Sequence, residues 1–354
     1  MDDRIAELES RLAALEQRLD RLEGRTTDAS AAEDFEVAPA LGDGFLSRAS
    51  TLVGRVLLIF GGAYLLRAIT DFNVVPTAFG ISLGAAYAVL WLYMAYRKGT
   101  EDDQYGSALF YGGASVLLAL PLLVEACGRF ALLSGLQGIF ALAVFSGLTL
   151  AVAAGRNLKI LGWMITAGSI IAAFAVLQIS RAAVAASAFL IIFGVAALWI
   201  GYVRHWQGQR WLAAFGANAG VLTLTMLSVS EQWTVGPLSA FVMGASLLIA
   251  YLVSFALWSH VRGRAVGMFE PVQAILAIIV ASVAAVVAAR AGQIALAPVG
   301  GLGLILSACA YGLAFTPETR EIRGRNFFFY SSLGLLLLVV GSALVLSPAI
   351  AAAV

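Results

Sequence analysis

The sequence predicts an all-α protein, a polytopic integral membrane helical bundle of about eleven transmembrane helices with an N-terminal cytoplasmic coiled coil. Three observations carry that expectation. Long apolar runs follow one another from Thr51 to the last residue, with very few ionisable residues inside them. Hydrophobic residues make up 61% of the chain and its mean hydropathy is +0.90, whereas a water-soluble chain of this length would expose far more charge. The first 22 residues instead carry a heptad pattern among charges.

Residues 1–24 form the first element. Ile5, Leu8, Leu12, Leu15, Leu19 and Leu22 recur at alternating steps of three and four, placing Ile5, Leu12 and Leu19 at heptad position a and the others at d. Position g holds Arg4, Arg11 and Arg18, and position e holds Glu9, Glu16 and Glu23. Each g arginine then faces the next e glutamate of a parallel partner, so the pattern implies a homo-oligomer joined by a parallel coiled coil. A helix lying on a membrane surface would want a basic polar face and bulky aromatics instead. So short a zipper is marginal alone, and confinement in a membrane has to assist it.

Residues 25–47 read as a flexible acidic linker. Thr26, Thr27, Ser30, a run of alanines and five acids offer too little apolar surface to pack. Residues 48–354 are the transmembrane domain. A hydrocarbon core about 30 Å thick takes roughly 20 helical residues. The runs lie near 51–70, 76–96, 106–124, 130–153, 158–177, 182–203, 211–229, 236–259, 271–289, 296–315 and 327–347. Their apolarity is all-round rather than alternating, which points to helices and not to barrel strands.

Basic residues orient the bundle. The even-numbered connections hold Arg97 and Lys98, Arg156 and Lys159, Arg204 and Arg210, Arg262 and Arg264, and Arg320, Arg323 and Arg325; the odd ones hold only Arg67, Arg129, Arg181 and Arg290. The even connections are therefore expected in the cytoplasm with the N-terminus, and an odd span count puts Val354 on the extracytoplasmic side of a cell (inner) membrane. Trp91, Trp163, Trp199, Trp206, Trp211 and Trp258 fall near the same ends, where an aromatic belt would sit, and Trp233 falls near the other. The N-terminus lacks the order of a signal peptide, so the first span would act as its own insertion signal.

Packing signals outnumber chemical ones. Gly80 and Gly84, and Gly216 and Gly220, are GxxxG pairs that suit close helix packing within one chain. Gln137, Asn218 and Gln273 would act as interhelical hydrogen-bond donors and acceptors. Cys127 and Cys309, far apart and without metal or CxxC spacing, read as buried small hydrophobes. His205 and His260 lack a third ligand and read as interfacial side chains, so neither metal nor cofactor is implied. Glu270 before Pro271 reads as compensation of a helix dipole. Phe60-Gly61-Gly62-Ala63 is echoed by Tyr111-Gly112-Gly113-Ala114, a candidate trace of duplication.

Charges near the membrane are the place to seek function. Arg55 is a candidate membrane-buried cation. Arg67 and Asp71, and Glu125 and Arg129, are spaced by four residues and share helix faces. The four together form a candidate external charge cluster if the first and third spans are neighbours.

The coiled coil, the polar linker, a first span running Gly54-Arg55-Val56 through Phe60-Gly61-Gly62 to Leu66-Arg67-Ala68, then Pro76, Gly80 and the glycine pair of the third span, resemble a bacterial family of uncharacterised multi-span proteins, domain of unknown function 2339. The resemblance covers roughly residues 1–175 and is one of arrangement. Members are usually longer, and the fifth span here has Gly168-Ser169 in place of a glycine pair and proline, so the chain looks like a short or truncated relative. The resemblance implies no activity.

Enzymatic classes fit poorly. The odd connections are too short for the acid-bearing loop of polyprenyl-linked transferases, and no paired intramembrane Asp, His–Glu metal motif or phosphate-cradling glycine loop occurs. No nucleic-acid module is present either. Two functions are compatible with the sequence: a non-catalytic membrane scaffold or assembly factor, which self-associates and engages membrane lipids and a cytoplasmic protein partner, or a transporter or flippase for a lipid or small apolar solute. The scarcity of carboxylates at span midpoints argues against proton coupling.

Overall fold

The computed structural model describes residue 54 and residues 57–65, 67, 68, 70, 72, 75–100, 104–316 and 324–353. The coiled-coil seam, the acidic linker, Arg55 and Asp71 lie outside the described residues. The chain divides into two units, Met1–Gly62 and Ala63–Val354. In the first unit, Gly54 and 57–62 are helical and expose Leu57, Leu58 and Phe60.

The second unit is all-helical, with no strand among the described residues. Its helices are α1 Thr77–Lys98, α2 Tyr105–Cys127, α3 Gly135–Gly155, α4 Lys159–Ser180, α5 Ala183–Arg204, α6 Gln207–Leu227, α7 Pro237–Ala256, α8 Phe269–Arg290, α9 Leu296–Ala314 and α10 Arg325–Ala353. A π-helical turn, Leu257–Val261, extends α7. Among the described residues, nine helices are long and apolar enough to cross a membrane. Their outward faces carry large apolar side chains such as Phe140, Ile171, Ile192, Ile279, Leu302 and Val339. Water would not tolerate so much exposed apolar surface on a monomer, whereas lipid does.

The expected count of eleven differs from these nine at two places. The first span falls partly outside the described residues. The seventh is the helix α6, whose Gln207, Gln209, Arg210, Asn218, Thr223 and Thr225 make it too polar to meet the measure of a lipid-facing span. Its surroundings explain the composition: α6 packs against α4, α5, α7 and α8. Gln209, Asn218 and Thr225 are buried on the side that meets those neighbours, while Phe215 and Met226 face outward.

Its glycines set that enclosure. A methyl group on Gly216 would stand 2.7 Å from Ile170 Cδ1 of α4, and one on Gly220 would stand 2.6 Å from Leu190 Cδ1 of α5. Gly84 likewise faces Leu122 of α2, and Gly80 faces Thr70. All four glycines expected to serve packing therefore meet neighbours in their own chain.

Connections are short, and four of them turn on a single left-handed residue that is not glycine: Ala131, Asn157, Arg181 and His205. Such tight turns force successive helices to lie antiparallel and adjacent. The strongest pairings are α1 with α2, α3 with α4, α5 with α6, α7 with α8, and α9 with α10. The last pair is the tightest, because Gly300 and Gly341 bring the two backbones together and Ser307 Oγ donates to Gly334 O at 2.7 Å.

Two buried apolar clusters fill the interior. One gathers Leu142, Leu161, Ile165, Val176 and Leu190, and the other gathers Leu198, Leu247, Phe255, Phe269 and Leu333. Helix α5 supplies both, with Leu190 and Phe193 turned to the first and Ile191, Leu198 and Tyr202 to the second.

The alternate connections collect at two ends. At one, the Arg156 guanidinium lies 4.0 Å from the centre of the Tyr96 ring, Trp206 Nε1 donates to Asn157 Oδ1 at 3.2 Å, and Trp258 stacks on Tyr202 at 4.2 Å. At the other, Arg181 donates to Gln232 O at 3.1 Å and Leu238 N donates to Gln293 Oε1 at 2.5 Å. The first end carries Arg97, Lys98, Arg156, Lys159, Arg204, Arg210, Arg262, Arg264 and Arg325, and is here called the arginine-rich end.

Several side chains depart from the sequence expectations. Gln137 does not bridge helices: its Oε1 accepts from Ser134 N at 2.9 Å while Ser134 Oγ accepts from Gln137 N at 3.3 Å, a capping box at the start of α3. Cys127 is buried, but Cys309 lies on the exposed face of α9. Trp206 is buried between α4 and the α5–α6 turn rather than turned to an interfacial belt, since it packs on Gly162.

Candidate functional site

The polar residues of the second unit concentrate at the arginine-rich end, around Glu270. This residue opens α8 and is only 2% exposed. Helix α8 begins there because Pro271 suits a first turn, where its missing N–H would have no partner anyway. Glu270 does more than balance the helix dipole. Its Oε1 accepts from Tyr202 Oη at 2.9 Å and lies 3.4 Å from Arg210 Nη1, while Oε2 accepts from Gly267 N at 2.7 Å.

Arg210 is held by more than its carboxylate. Its guanidinium lies 4.9 Å from the centre of the Phe269 ring and 5.5 Å from that of Tyr202. Aromatic faces stabilise a desolvated cation. Each member comes from a different element: Tyr202 from the last turn of α5, Arg210 from the first turn of α6, and Glu270 from the first turn of α8.

The π-helical turn adds a second set of contacts. Inserting one extra residue per turn at Leu257–Val261 lets Arg262 N donate to Leu257 O at 3.4 Å, and such turns recur at functional positions. It lays Trp258 flat on Tyr202 and points His260 towards α9. His260 Nε2 meets Leu313 O at 3.3 Å, and Nδ1 meets Ser259 Oγ at 3.0 Å. Ser259 Oγ also bonds Phe255 O at 2.9 Å and shares a hydrogen bond of 2.5 Å with Tyr330 Oη of α10.

Asn326 closes the ring. Its Oδ1 accepts from Val266 N at 2.8 Å, and its Nδ2 donates to Arg264 O at 3.2 Å. The first turn of α10 is thereby tied to the connection between α7 and α8.

The chemistry of this arrangement is restraint. Both oxygens of Glu270 accept hydrogen bonds, and Ser259 Oγ meets Phe255 O, Ala256 O, His260 Nδ1 and Tyr330 Oη. What the network does is fasten the connections at 204–207 and 262–268 and the first turn of α10 to one another. Beside it, between α8 and α10, lies a cavity of about 360 Å³ bordered by Gly267, Pro271, Arg325, Phe329, Ser332 and Leu336.

Deeper in the bundle, Asn218 Nδ2 donates to Gln273 Oε1 at 2.8 Å, joining α6 to α8 as the sequence suggests. Among the described residues, Asn218 Oδ1 and Gln273 Nε2 have no hydrogen-bond partner. Gln209 Nε2 donates to Thr166 Oγ1 at 2.9 Å and joins α6 to α4.

Of the external cluster expected from sequence, the structure brings Arg67 and Glu125 together at 2.9 Å, both partly exposed. Arg129 lies with its guanidinium 5.2 Å from the Phe130 ring centre. Asp71 and Arg55 are outside the described residues. The Glu270 network was not anticipated as a unit. Glu270 and Arg210 each had an ordinary role in the sequence, and Tyr202, Ser259, Tyr330 and Asn326 had none. The available signal was a carboxylate at the very edge of a span, an expensive position unless it is paired. Among the described residues, no three His, Cys, Asp or Glu side chains are grouped as metal ligands. No protein-family model, no curated protein and no solved structure matches this chain.

Proposed function

We propose that this chain is a non-catalytic membrane scaffold or assembly factor, self-associating through a parallel coiled coil of residues 1–24 and placing its arginine-rich end in the cytoplasm of a bacterial cell. The resemblance to domain of unknown function 2339 belongs to this reading and adds no activity to it. One observation carries it: two buried apolar clusters pack the described helices against one another. Helix α6 packs against four neighbours, and its Ala213, Ala214, Ala217, Val221 and Leu224 are buried between them while Phe215 and Met226 face outward. A platform gains from such an interior, because close packing fixes the positions of its ends.

The Glu270 network supports the same reading, since it joins two connections and the start of α10 on the face that a cytoplasmic partner would meet. The second reading, a transporter or flippase for a lipid or small apolar solute, is favoured by the cavity between α8 and α10, which opens on the side of the bundle. The two are separated by measuring the mass of the intact protein in native membranes with and without residues 1–24, alongside lipid scrambling in liposomes. A scaffold loses oligomeric mass on the deletion and moves no lipid. Unchanged mass refutes the coiled coil, and scrambling that vanishes with Arg67→Ala refutes the scaffold.

A further inference from the structure

We propose that the seam between α8 and α10 is a binding site for an anionic phospholipid, with one acyl chain in the 360 Å³ cavity and the headgroup at Arg325. It rests on the membrane placement of the bundle and not on self-association.

The seam is where the terminal hairpin is least well packed. Helices α9 and α10 join each other closely but touch α8 only sparsely. A second cavity of about 100 Å³, bordered also by α7 and α9, lies further along α8 and α10, past Ile278, Ala281 and Ala285 on one and Leu337, Val340 and Leu344 on the other. On α10 the larger cavity runs from Arg325 to Leu336. Eleven helical steps at 1.5 Å span about 16 Å, close to half of a hydrocarbon core about 30 Å thick. That is the depth of one leaflet, and the volume falls within the range of small-ligand sites.

The walls are apolar and the mouth is cationic. Ala274, Ile275, Phe328, Phe329 and Leu333 line the shaft, and Arg325 stands at the top. Asn326 ties Arg264, also exposed, to the start of α10. No acid occupies the first turn of α10. The nearby carboxylate does not neutralise the mouth, because Glu270 is turned inward onto Tyr202, Arg210 and Gly267 N. The four charges of 317–323, Glu318, Arg320, Glu321 and Arg323, cancel in sequence. An apolar shaft one leaflet deep beneath exposed arginines matches a phospholipid with a negative headgroup, and basic pockets between membrane helices recognise such headgroups.

The test is native mass spectrometry of the full chain reconstituted in equal parts phosphatidylglycerol and phosphatidylcholine, then released in mild detergent. The wild-type protein retains phosphatidylglycerol in preference, and Arg325→Gln lowers that preference about fivefold, the loss of one interfacial charge contact. Arg290→Gln, at the opposite end of α8, leaves it unchanged. Ser332→Phe fills the shaft from an exposed position and removes the retained lipid. An unaltered preference in Arg325→Gln, or an equal fall in Arg290→Gln, overturns the proposal. So does a Ser332→Phe protein that keeps its lipid but loses oligomeric mass, since the seam would then be an interface between copies. Loss of mass on deleting residues 1–24 bears on the scaffold alone, so the two readings fail separately.

Discussion

Arg210 and Glu270, sixty residues apart in the chain, meet at 3.4 Å with the guanidinium between two aromatic rings and the carboxylate almost fully buried. The pair joins the first turn of α6 to the first turn of α8. Removing one charge leaves the other desolvated, which costs far more than the pair contributes to stability.

Arg210→Met is therefore expected to destabilise the folded bundle by about 3–5 kcal/mol, and Glu270→Gln to relieve much of that loss in the double variant. Unfolding titrations of the two singles and the double in detergent measure the coupling. Additive losses would show that the two groups act independently.

Asn218 and Gln273 should behave differently, because each keeps one unpartnered polar atom in the bundle interior. Truncating either to Ala costs about 0.6 kcal/mol, the usual worth of such a membrane hydrogen bond. Asn218→Leu combined with Gln273→Met removes both unsatisfied atoms with their bond, and is expected to be neutral or stabilising. A double variant less stable than both singles would sink this account.

Enlarging the glycines of α6 tests its close packing. Gly216→Leu and Gly220→Leu press on Ile170 and Leu190, and each should cost about 1–3 kcal/mol of stability. Gly301→Leu, where a Cβ meets nothing within 4 Å, serves as the control. The oligomeric mass should stay constant in all three, since these contacts lie within one chain; a fall in mass for the α6 variants would place α6 at an interface instead.

The Arg67–Glu125 pair is half exposed, and its contribution is at most about 1 kcal/mol and shrinks as salt rises. If Asp71 shares the cluster, Glu125→Ala and Asp71→Ala will alter stability non-additively. Strict additivity at low salt argues that Asp71 stands apart.

Helix positions were legible because lipid imposes one demand on every span, about 20 apolar residues with the backbone satisfied internally. The seventh run shows the limit of that signal. It forms a helix of span length, and Gln209 and Asn218 are buried where it meets α4 and α8 while Phe215 and Met226 face outward. Gln137 shows the converse. A polar residue near a span edge suggested a bridge between helices, but the preceding Ser134 gave it a nearer partner at the helix start.

The sequence by itself determined what is periodic or local: the helices, the short antiparallel connections, the gathering of basic residues in alternate connections, and the glycine pairs that admit close neighbours. These follow from the chain's own spacing and from the solvent it meets. Tertiary structure alone decided that Tyr202, Arg210, Glu270, Ser259, Tyr330 and Asn326 form one network and that α8 and α10 leave a seam between them. Those residues come from elements far apart in the chain, and which helix faces meet depends on packing across the whole bundle, a property no single segment carries.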